Sequence, residues 1–236
     1  MKKMFLFLTF FIWLSPAAAS RCHPKPNFNL PQYIVGYGSL INESSKKKTS
    51  PSAKENFPVL ISGYERSWSV RGGRKTYLSI NKNENVSFNA VIYQLSNPKN
   101  IYLYDKRERS YCRKAVHINQ LEIHGAKLPA QKQIWIYSSA HQTKEYPTED
   151  FPIFQSYIDI FISGCFQIEE KFKIKSFAKD CIKSTSHWPT QWESGIVFPR
   201  HPASYEPYAT KIDGLLIETL QPQPPFRLLP EVNTNN

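Results

Sequence analysis

The sequence predicts an α+β domain around a largely antiparallel sheet that can curl into a barrel. Short strand-like segments separated by turn signals occupy the first part of the chain. Apolar residues recur at spacings of three and four only after Asp150, where a pair of helices is expected. Strands that come first and helices that come late are typical of α+β domains, in which helices pack against one side of a sheet.

Turn-forming residues separate the strand-like segments that precede the helical region. These segments are residues 33–37, 57–73, 76–80, 87–95, 111–118 and 133–139. The polar residues 43–56 predict a loop, and residues 81–85 (NKNEN) predict a turn that ends the third strand. Residues 97–110 contain enough helix-forming side chains for one helix.

Two helices and a last strand are predicted for the second half of the chain. An amphipathic helix is indicated by the spacing of Ile153, Phe154, Tyr157, Ile158, Phe161, Ile162 and Phe166. A second helical stretch covers about residues 169–183. The aromatic and Pro-rich residues 188–207 predict an ordered covering loop, and residues 214–220 (GLLIETL) predict the last strand.

The first twenty residues have the composition of a secretory signal peptide. Lys2 and Lys3 precede an apolar run at residues 4–14, and Ser, Pro and Ala residues follow at 15–20. This run is shorter than the roughly 20 residues that span a membrane; an uncleaved membrane anchor is the alternative interpretation. We therefore expect an exported bacterial protein, periplasmic or secreted, without stable membrane insertion.

The remaining chain predicts a single domain with two irregular ends. Residues 21–31 predict an N-terminal arm, residues 32–220 the folded domain, and residues 221–236 a flexible Pro-rich tail. The formal net charge of +11 is compatible with nucleic-acid or anionic-surface contact. Its dense clusters, residues 46–48 and 71–75, fall in loop-like contexts. Solvated loops are therefore favoured, and no nucleic-acid partner is expected.

Four cysteines follow the predicted signal peptide: Cys22, Cys112, Cys165 and Cys181. In an oxidising compartment they permit two disulfides, in any of three connectivities. Cys165 and Cys181 fall in one helical region and can pair, whereas buried free thiols are the alternative. None of the four lies at metal-ligand spacing from another cysteine or a histidine, so no metal is expected.

Residues 32–41 (QYIVGYGSLI) predict a strand that runs into a glycine-containing loop. Gly36 and Gly38 flank Tyr37 and leave consecutive backbone N–H groups unshielded. Such groups can bind an anion such as a carboxylate, and Gly38 would let the ligand approach the chain closely. An ordinary strand-end turn is the alternative, because no phosphate-loop pattern is present.

Residues 104–113 (YDKRERSYCR) contain the second candidate site. Glu108 lies between Arg107 and Arg109 and is followed by Tyr111, which opens a predicted strand. A carboxylate in a partly apolar cleft has its pKa raised toward neutrality, as a general acid or base requires. A solvated helix end of mixed charge is the alternative interpretation.

Together, these motifs resemble the γ-glutamylcyclotransferase-like superfamily. The resemblance rests on YIVGYGSL at 33–40, the D-x-R-E-x-x-Y pattern at 105–111 and QSYIDIFISGC at 155–165, in that order. TSHWPTQW at 185–192 and FPRHP at 198–202 are similar to the aromatic, Arg-Pro segment of longer members. The resemblance covers about residues 32–220 and depends on order and spacing rather than on one diagnostic motif.

The resemblance implies a small mixed barrel with packed helices. It also implies cyclisation of a γ-glutamyl group to 5-oxoproline, with release of an amine or amino acid and without a metal or cofactor. Glu108 would be the catalytic acid/base. The loop that holds the glutamyl group, largely through backbone amides, would comprise Tyr37, Gly38, Ser39 and Leu40, with Tyr111 and Tyr157 as pocket hydroxyls.

One departure from the family pattern concerns the far end of the substrate. Longer members often carry an Asp-Arg pair where this chain has Glu193, Ser194 and Gly195. Trp188 and Trp192 could close one side of the pocket, although core packing is an equal alternative. The histidines at 117, 124, 141, 187 and 201 show no ligand spacing.

The sequence is compatible with two other functions. One is a non-catalytic relative that binds a small carboxylate ligand or a partner in the same cleft. The other is an anionic-surface binder that uses residues 46–48 and 71–75, whose binding would collapse with salt. Ser39 is not expected to be a nucleophile, because no Gly-x-Ser-x-Gly elbow surrounds it.

Overall fold

The computed structural model describes residues 22–140, 143–190, 192–193 and 207–220. The predicted signal peptide, the Pro-rich tail and the FPRHP segment lie outside the described residues, as do His141 and His201.

The described residues form seven strands and five α-helices. In chain order they are β1 (Gln32–Gly36), α1 (Glu43–Thr49), β2 (Phe57–Gly72), β3 (Lys75–Gln94), α2 (Ile101–Arg107), β4 (Tyr111–Ala115), β5 (Leu121–Ile123), β6 (Gln133–Ser139), α3 (Gln155–Phe172), α4 (Phe177–Lys183), β7 (Thr185–Ser186) and α5 (Ala209–Leu220). Short 3₁₀ turns, Pro98–Asn100 and Ile118–Gln120, precede α2 and β5.

The strands form one mixed, largely antiparallel sheet, as predicted. Its order is β4-β6-β1-β3-β2-β5, with β7 added beside β2. The β1–β6 and β2–β7 pairs are parallel, and the other strand pairs are antiparallel. The expected barrel is not closed, because β4 and β5 end the path of the sheet and do not pair with each other.

The predicted turn at residues 81–85 is wrong. β3 continues through it, because Ser62 pairs with Ser87 on one side and Tyr64 pairs with Lys82 on the other. Residues 83–86 of β3 therefore lie opposite Gly63 alone, whose φ of +84° is readily adopted only by glycine. The turn-forming residues make a bulge in a long two-stranded ribbon rather than a chain reversal.

Two further sequence predictions are wrong. The predicted loop at 43–56 contains α1, whose first turn is capped by the Asn42 side chain accepting from the Ser45 N–H at 2.9 Å. The predicted last strand lies in α5, where Ile212 and Leu216 are buried at a spacing of four. A short apolar run does not distinguish strand from helix, so tertiary packing decided its conformation.

The helical region after residue 154 is confirmed, but it is divided differently. α3 ends at Phe172 and α4 begins at Phe177, because Lys173 and Ser176 adopt positive φ angles of 56° and 67°. The buried face of α3 includes Ile158, Phe161 and Ile162, among the residues that define the amphipathic pattern. This helix packs over the chain that leaves β1.

A glycine brings α3 into direct contact with that chain. A Cβ atom on Gly164 would lie 2.5 Å from the backbone nitrogen of Asn42 and 2.8 Å from the carbonyl carbon of Ile41. The Asn42 side chain also donates to Ser163 Oγ at 3.0 Å. The segment between β1 and α1 is therefore held between the sheet and α3.

One disulfide joins consecutive helices, and the other joins distant parts of the chain. Cys165 pairs with Cys181, as the sequence allowed, and links α3 to α4. Cys22 pairs with Cys112 and holds the residues before β1 against β4, where the Arg113 guanidinium also donates to the Pro24 carbonyl at 2.5 Å. None of the helices in the described part of the chain combines the length and hydropathy of a membrane span.

Candidate active site

A pocket lies where β1 ends, between α2 and α3. It is an open cleft of about 330 Å³, counting the solvent at its mouth, and is lined by Val35, Tyr37, Gly38, Ser39, Leu40, Leu78, Glu108, Tyr111, Tyr137 and Tyr157. The structure therefore brings together in one pocket all the residues that the sequence singled out for catalysis or substrate binding. Val35, Leu78 and Tyr137 are additional lining residues that no sequence motif marks.

The loop after β1 turns tightly and exposes main-chain donors. Ile41 N–H donates to the Gly38 carbonyl at 2.9 Å, and a Cβ atom on Gly36 would meet Leu40 Cβ at 2.9 Å. Gly38, Ser39 and Leu40 are buried, and their N–H groups donate to no acceptor within the described residues. Main-chain donors of this kind can bind an anionic group of a ligand.

Glu108 faces this loop from the end of α2. It occupies the C-cap position, where its N–H donates to the Tyr104 carbonyl at 2.8 Å. Its own carbonyl accepts from Tyr111 N–H at 2.8 Å, so the chain turns and returns Tyr111 to the same pocket. The Glu108 side chain is only 17% exposed.

Arg107 connects the glutamate to the loop. Its Nε lies 3.1 Å from Glu108 Oε1, and one terminal nitrogen donates to Ser39 Oγ at 2.9 Å. Another donates to the Ser45 carbonyl in α1 at 2.7 Å. The sequence did not show where the side chains of Arg107 and Arg109 point. In the structure, Arg107 contacts the Glu108 carboxylate and is largely shielded from solvent.

The phenols of the pocket have their protons directed into the protein. The Tyr37 hydroxyl donates to the Tyr137 carbonyl at 2.7 Å, and the Tyr111 hydroxyl donates to the Leu78 carbonyl at 2.8 Å. Burial, and then the charge of Glu108, holds the pKa of Tyr37 well above its ordinary value. Burial, and then the neighbouring phenols, does the same for the pKa of Tyr111. Both oxygens can therefore only accept hydrogen bonds from a ligand.

The pocket thus combines hydrogen-bond donors and acceptors. The donors are the main-chain N–H groups of residues 38–40. The acceptors are the oxygens of two neutral phenols, Tyr37 and Tyr111, and the Glu108 carboxylate. Such an arrangement complements a small molecule that carries an anionic group and an ammonium group close together.

Arg66 supports the loop that follows β1 through a hydrogen bond to Tyr37. Its guanidinium is fully buried and donates to the Tyr37 carbonyl at 3.2 Å, the Asn89 carbonyl at 2.8 Å and the Cys181 carbonyl at 2.7 Å. The guanidinium also stacks within 5.0 Å of the Phe88 ring centroid. Burial lowers the pKa of Arg66 to about 9, so it is charged at neutral pH. No motif in the sequence indicated this residue.

The tryptophans of the TSHWPTQW segment pack behind the pocket and do not line it. Trp188 lies 5.2 Å from Trp68, ring centroid to centroid, and Trp68 in turn lies 5.6 Å from Tyr157. Trp192 is buried and donates to Gln155 Oε1 at 2.6 Å. Core packing, one of the alternatives for these side chains, is what the structure shows.

His117, His124 and His187 lie outside the pocket. Across the described residues, His, Cys, Asp and Glu form no group of three or more that could hold a metal ion.

Comparison with known proteins supports the fold. No protein-family model and no curated protein matches the chain. Two solved structures align with a TM-score of 0.50 and 13% identity over 77% of this chain. One is a protein named gamma-glutamyl cyclotransferase, covered over 98% of its length, and the other is the uncharacterized protein loc79017 from Homo sapiens, covered over 97%. The chain has the γ-glutamylcyclotransferase-like fold.

A more distant similarity involves YkqA from Bacillus subtilis, at 16% identity and a TM-score of 0.47. This chain spans about half, 53%, of that protein's length. In the γ-glutamylcyclotransferase-like fold of this chain, the pocket is formed by the end of β1, the end of α2 and the first turn of α3.

Proposed function

We propose that the protein is an exported γ-glutamylcyclotransferase-like enzyme. It would cyclise a γ-glutamyl compound to 5-oxoproline and release an amine or amino acid, with Glu108 as general acid/base. The observation that carries the proposal is that Glu108 and the loop residues 38–40, with their main-chain N–H donors, line one small pocket. The fold is consistent with this activity.

Both charges of a γ-glutamyl head group have complementary partners in the pocket. Main-chain N–H groups of residues 38–40 suit its α-carboxylate and the γ-carbonyl oxygen, as anion-binding nests do. The phenol oxygens of Tyr37 and Tyr111 suit its α-ammonium, because their own protons are directed to backbone carbonyls. Binding both ends folds the glutamyl chain toward a five-membered ring and supplies proximity.

The reaction needs no protein nucleophile. Glu108 takes a proton from the α-ammonium, and the freed amine nitrogen attacks the γ-carbonyl carbon to form the new C–N bond. The tetrahedral oxyanion would be stabilised by N–H donors, worth about 3–4 kcal/mol by analogy with an oxyanion hole. Glu108 then returns the proton to the leaving nitrogen as the original amide bond breaks. The second surplus proton of the ring nitrogen passes by the same carboxylate to the released amine, so the products are the neutral lactam of 5-oxoproline and an ammonium ion. Each assisted proton transfer contributes about 10²–10⁴-fold, and water is neither consumed nor produced.

Export is the second part of the proposal. It is supported by the basic, apolar and small-residue order of the first twenty residues. The disulfides Cys22–Cys112 and Cys165–Cys181 are of the kind that persists in oxidising compartments. An exported enzyme would meet γ-glutamyl peptides or γ-glutamyl amines outside the cytoplasm.

Release of 5-oxoproline by the purified protein tests the proposal. γ-Glutamyl amino acids, γ-glutamyl amines and glutathione are supplied in turn, and 5-oxoproline and the released amine are quantified together. Equal amounts are expected from the wild type, with at least about a thousandfold loss in Glu108→Gln if both proton transfers depend on it. Glu84→Gln, on the exposed bulge of β3, is the matched control and should retain activity.

The second candidate function is a non-catalytic carboxylate-binding module. The contact of 3.1 Å between Arg107 Nε and Glu108 Oε1 favours it, because the carboxylate is already engaged by a neighbouring cation. Titration calorimetry with glutamate and 5-oxoproline distinguishes the two functions. Tight binding without product from any γ-glutamyl compound would establish the module and rule out the enzyme.

A further inference from the structure

The lysine cluster at residues 46–48 divides between the interior and the surface of the protein. Lys46, in α1, is fully buried, whereas Lys47 and Lys48 are exposed. Because burial of an ammonium group is costly, lysines are almost never fully buried unless they are paired. Lys46 is not among the residues that line the candidate active site, so its burial has to be explained by other contacts.

Three acceptors and one aromatic ring surround the Lys46 ammonium group. Its Nζ atom donates to Glu43 Oε1 at 2.9 Å and to Asn56 Oδ1 at 2.8 Å. A third hydrogen bond, of 2.7 Å, goes to the Lys54 carbonyl, and the ring centroid of Tyr93 lies 4.7 Å from Nζ. Burial lowers the pKa of Lys46, although the hydrogen bond to Glu43 opposes this shift. Lys46 therefore loses a proton more readily than an exposed lysine does.

Asn56 directs its amide carbonyl at this amine. The residue is buried, and its Nδ2 donates to the Ile41 carbonyl at 2.7 Å, which leaves Oδ1 facing Lys46. Because Oδ1 is about 1.2 Å from Cγ, the lysine nitrogen lies at most about 4 Å from that carbon atom. Glu43 contacts both residues, since its Oε1 atom also accepts from the Asn56 main-chain N–H at 3.1 Å. An amine, an amide and a carboxylate thus meet in one largely buried site.

We propose that Lys46 and Asn56 are joined by an intramolecular isopeptide bond, which forms with Glu43 as the proton carrier. Glu43 takes a proton from the Lys46 ammonium group, and the neutral nitrogen attacks Asn56 Cγ to form the new C–N bond. The Cγ–Nδ2 bond then breaks. The two protons that the lysine nitrogen loses pass to the departing nitrogen, which leaves as an ammonium ion. The reaction needs no oxidant and consumes no water.

The bond fixes α1 to the start of β2, because Lys46 lies in α1 and Asn56 directly precedes β2. The same helix accepts hydrogen bonds from Arg107, the neighbour of Glu108, at the Ser45 carbonyl and at Thr49 Oγ1. The cross-link therefore ties down a helix that supports the candidate active site. The inference is independent of the proposed function, since the reaction takes place within the chain and needs no substrate.

Intact-mass measurement of the purified full chain, with both disulfides reduced, tests the inference. After overnight incubation of the folded protein, the wild type should be lighter by about 17 Da, the mass of ammonia, than the sum of its residues from the observed N-terminus. A tryptic digest should contain one branched fragment with both Lys46 and Asn56, because an acylated lysine is not a cleavage site. Full mass would overturn the inference and leave a buried ion pair. Loss of ammonia without the branched fragment would indicate a succinimide at Asn56 and would equally overturn it.

Three variants identify the reacting groups. Lys46→Met removes the amine and Glu43→Gln removes the proton carrier, so both should keep their full mass. Lys47→Met is the matched control: it removes an exposed ammonium group 4.0 Å from Glu43 Oε2 and should be as light as the wild type. A branched fragment in Glu43→Gln would refute the role of Glu43. The wild-type digest decides whether the bond exists even where a variant fails to fold.

Discussion

The hydroxyl of Tyr157 lies directly against Gly38, so that a Cβ atom on Gly38 would approach Tyr157 Oη to 2.9 Å. The sequence suggested that the glycines of this loop admit a ligand. The structure shows that each also admits a neighbouring residue, since a Cβ atom on Gly36 would meet Leu40. The loop is therefore held in shape by contacts with the protein before any substrate arrives.

Gly38→Ala should lower the free energy of unfolding by about 1–3 kcal/mol, the usual cost of overpacking. Tyr157 is buried, so its hydroxyl has to shift to admit the new methyl group. Tyr157→Phe removes the oxygen atom, and in the Gly38→Ala background it should recover part of that loss. Denaturant unfolding of the two single variants and the double variant measures their coupling. Strict additivity would show that this contact does not hold the loop.

Two helical glycines should respond to alanine in opposite directions. Gly164→Ala forces a methyl group against the backbone of Ile41 and Asn42, so a net loss of about 2 kcal/mol or more is expected despite the higher helix propensity of alanine. Gly214 lies in α5, and no atom of the described residues lies within 4 Å of a Cβ atom added there. Gly214→Ala should therefore stabilise by about 0.5–1 kcal/mol. Denaturant unfolding of both variants checks the signs, and a stabilising Gly164→Ala would refute the close approach of α3.

The buried phenols predict loss of stability at alkaline pH. The pKa values of Tyr37 and Tyr111 are raised well above 10.0 in the folded protein, mainly by burial. Below pH 10 both states keep these protons, whereas above it the unfolded chain releases them first, so stability falls as pH rises. Each such tyrosine contributes a slope of about 1.4 kcal/mol per pH unit.

Tyr111→Phe isolates one of these contributions. Denaturant unfolding between about pH 8 and pH 11 gives the free energy of unfolding as a function of pH. Above pH 10, this free energy should fall less steeply in Tyr111→Phe than in the wild type, by about 1.4 kcal/mol per pH unit, which corresponds to one proton. The hydrogen bond to Leu78 is lost at every pH and shifts only the level of the curve. Identical slopes for the two proteins would show that Tyr111 titrates normally in the folded state.

The two disulfides should differ in their contribution to stability. Cys22 and Cys112 are 90 residues apart, whereas Cys165 and Cys181 are 16 apart. Loop-closure entropy predicts a loss of about 4.6 kcal/mol when the first is replaced by serines, and of about 3 kcal/mol for the second. Denaturant unfolding of the two double-serine variants checks this order. The reverse order would indicate that native contacts of α3 and α4, not chain entropy, dominate.

The site motifs were accessible from the sequence because each is local. Residues 33–40 encode a strand, a turn and open N–H groups within one short segment. Glu108 and Tyr111 are joined by one turn of backbone, so their common placement follows from nearby residues. The α+β class and the mixed, largely antiparallel sheet were likewise predictable, because they depend on the order of periodic segments.

Other features depended on residues that meet only in the folded chain. Residues 81–85 carry turn chemistry, yet pairing with β2 on both sides keeps them within β3. Residues 214–220 carry β-compatible side chains, yet contacts at Ile212 and Leu216 make them helical. Closure of the sheet was equally undetermined, since it depends on whether β4 and β5 meet.

By itself, the sequence determined the class of fold, the motifs around Gly38 and Glu108, and the residues able to line a common pocket. Only the tertiary structure decided how those residues are supported. Arg66 is 29 positions from Tyr37, and Arg107 is 68 positions from Ser39. No local sequence pattern therefore predicts either contact. Long-range contacts of this kind are set by packing of the whole chain, which short-range propensity does not encode.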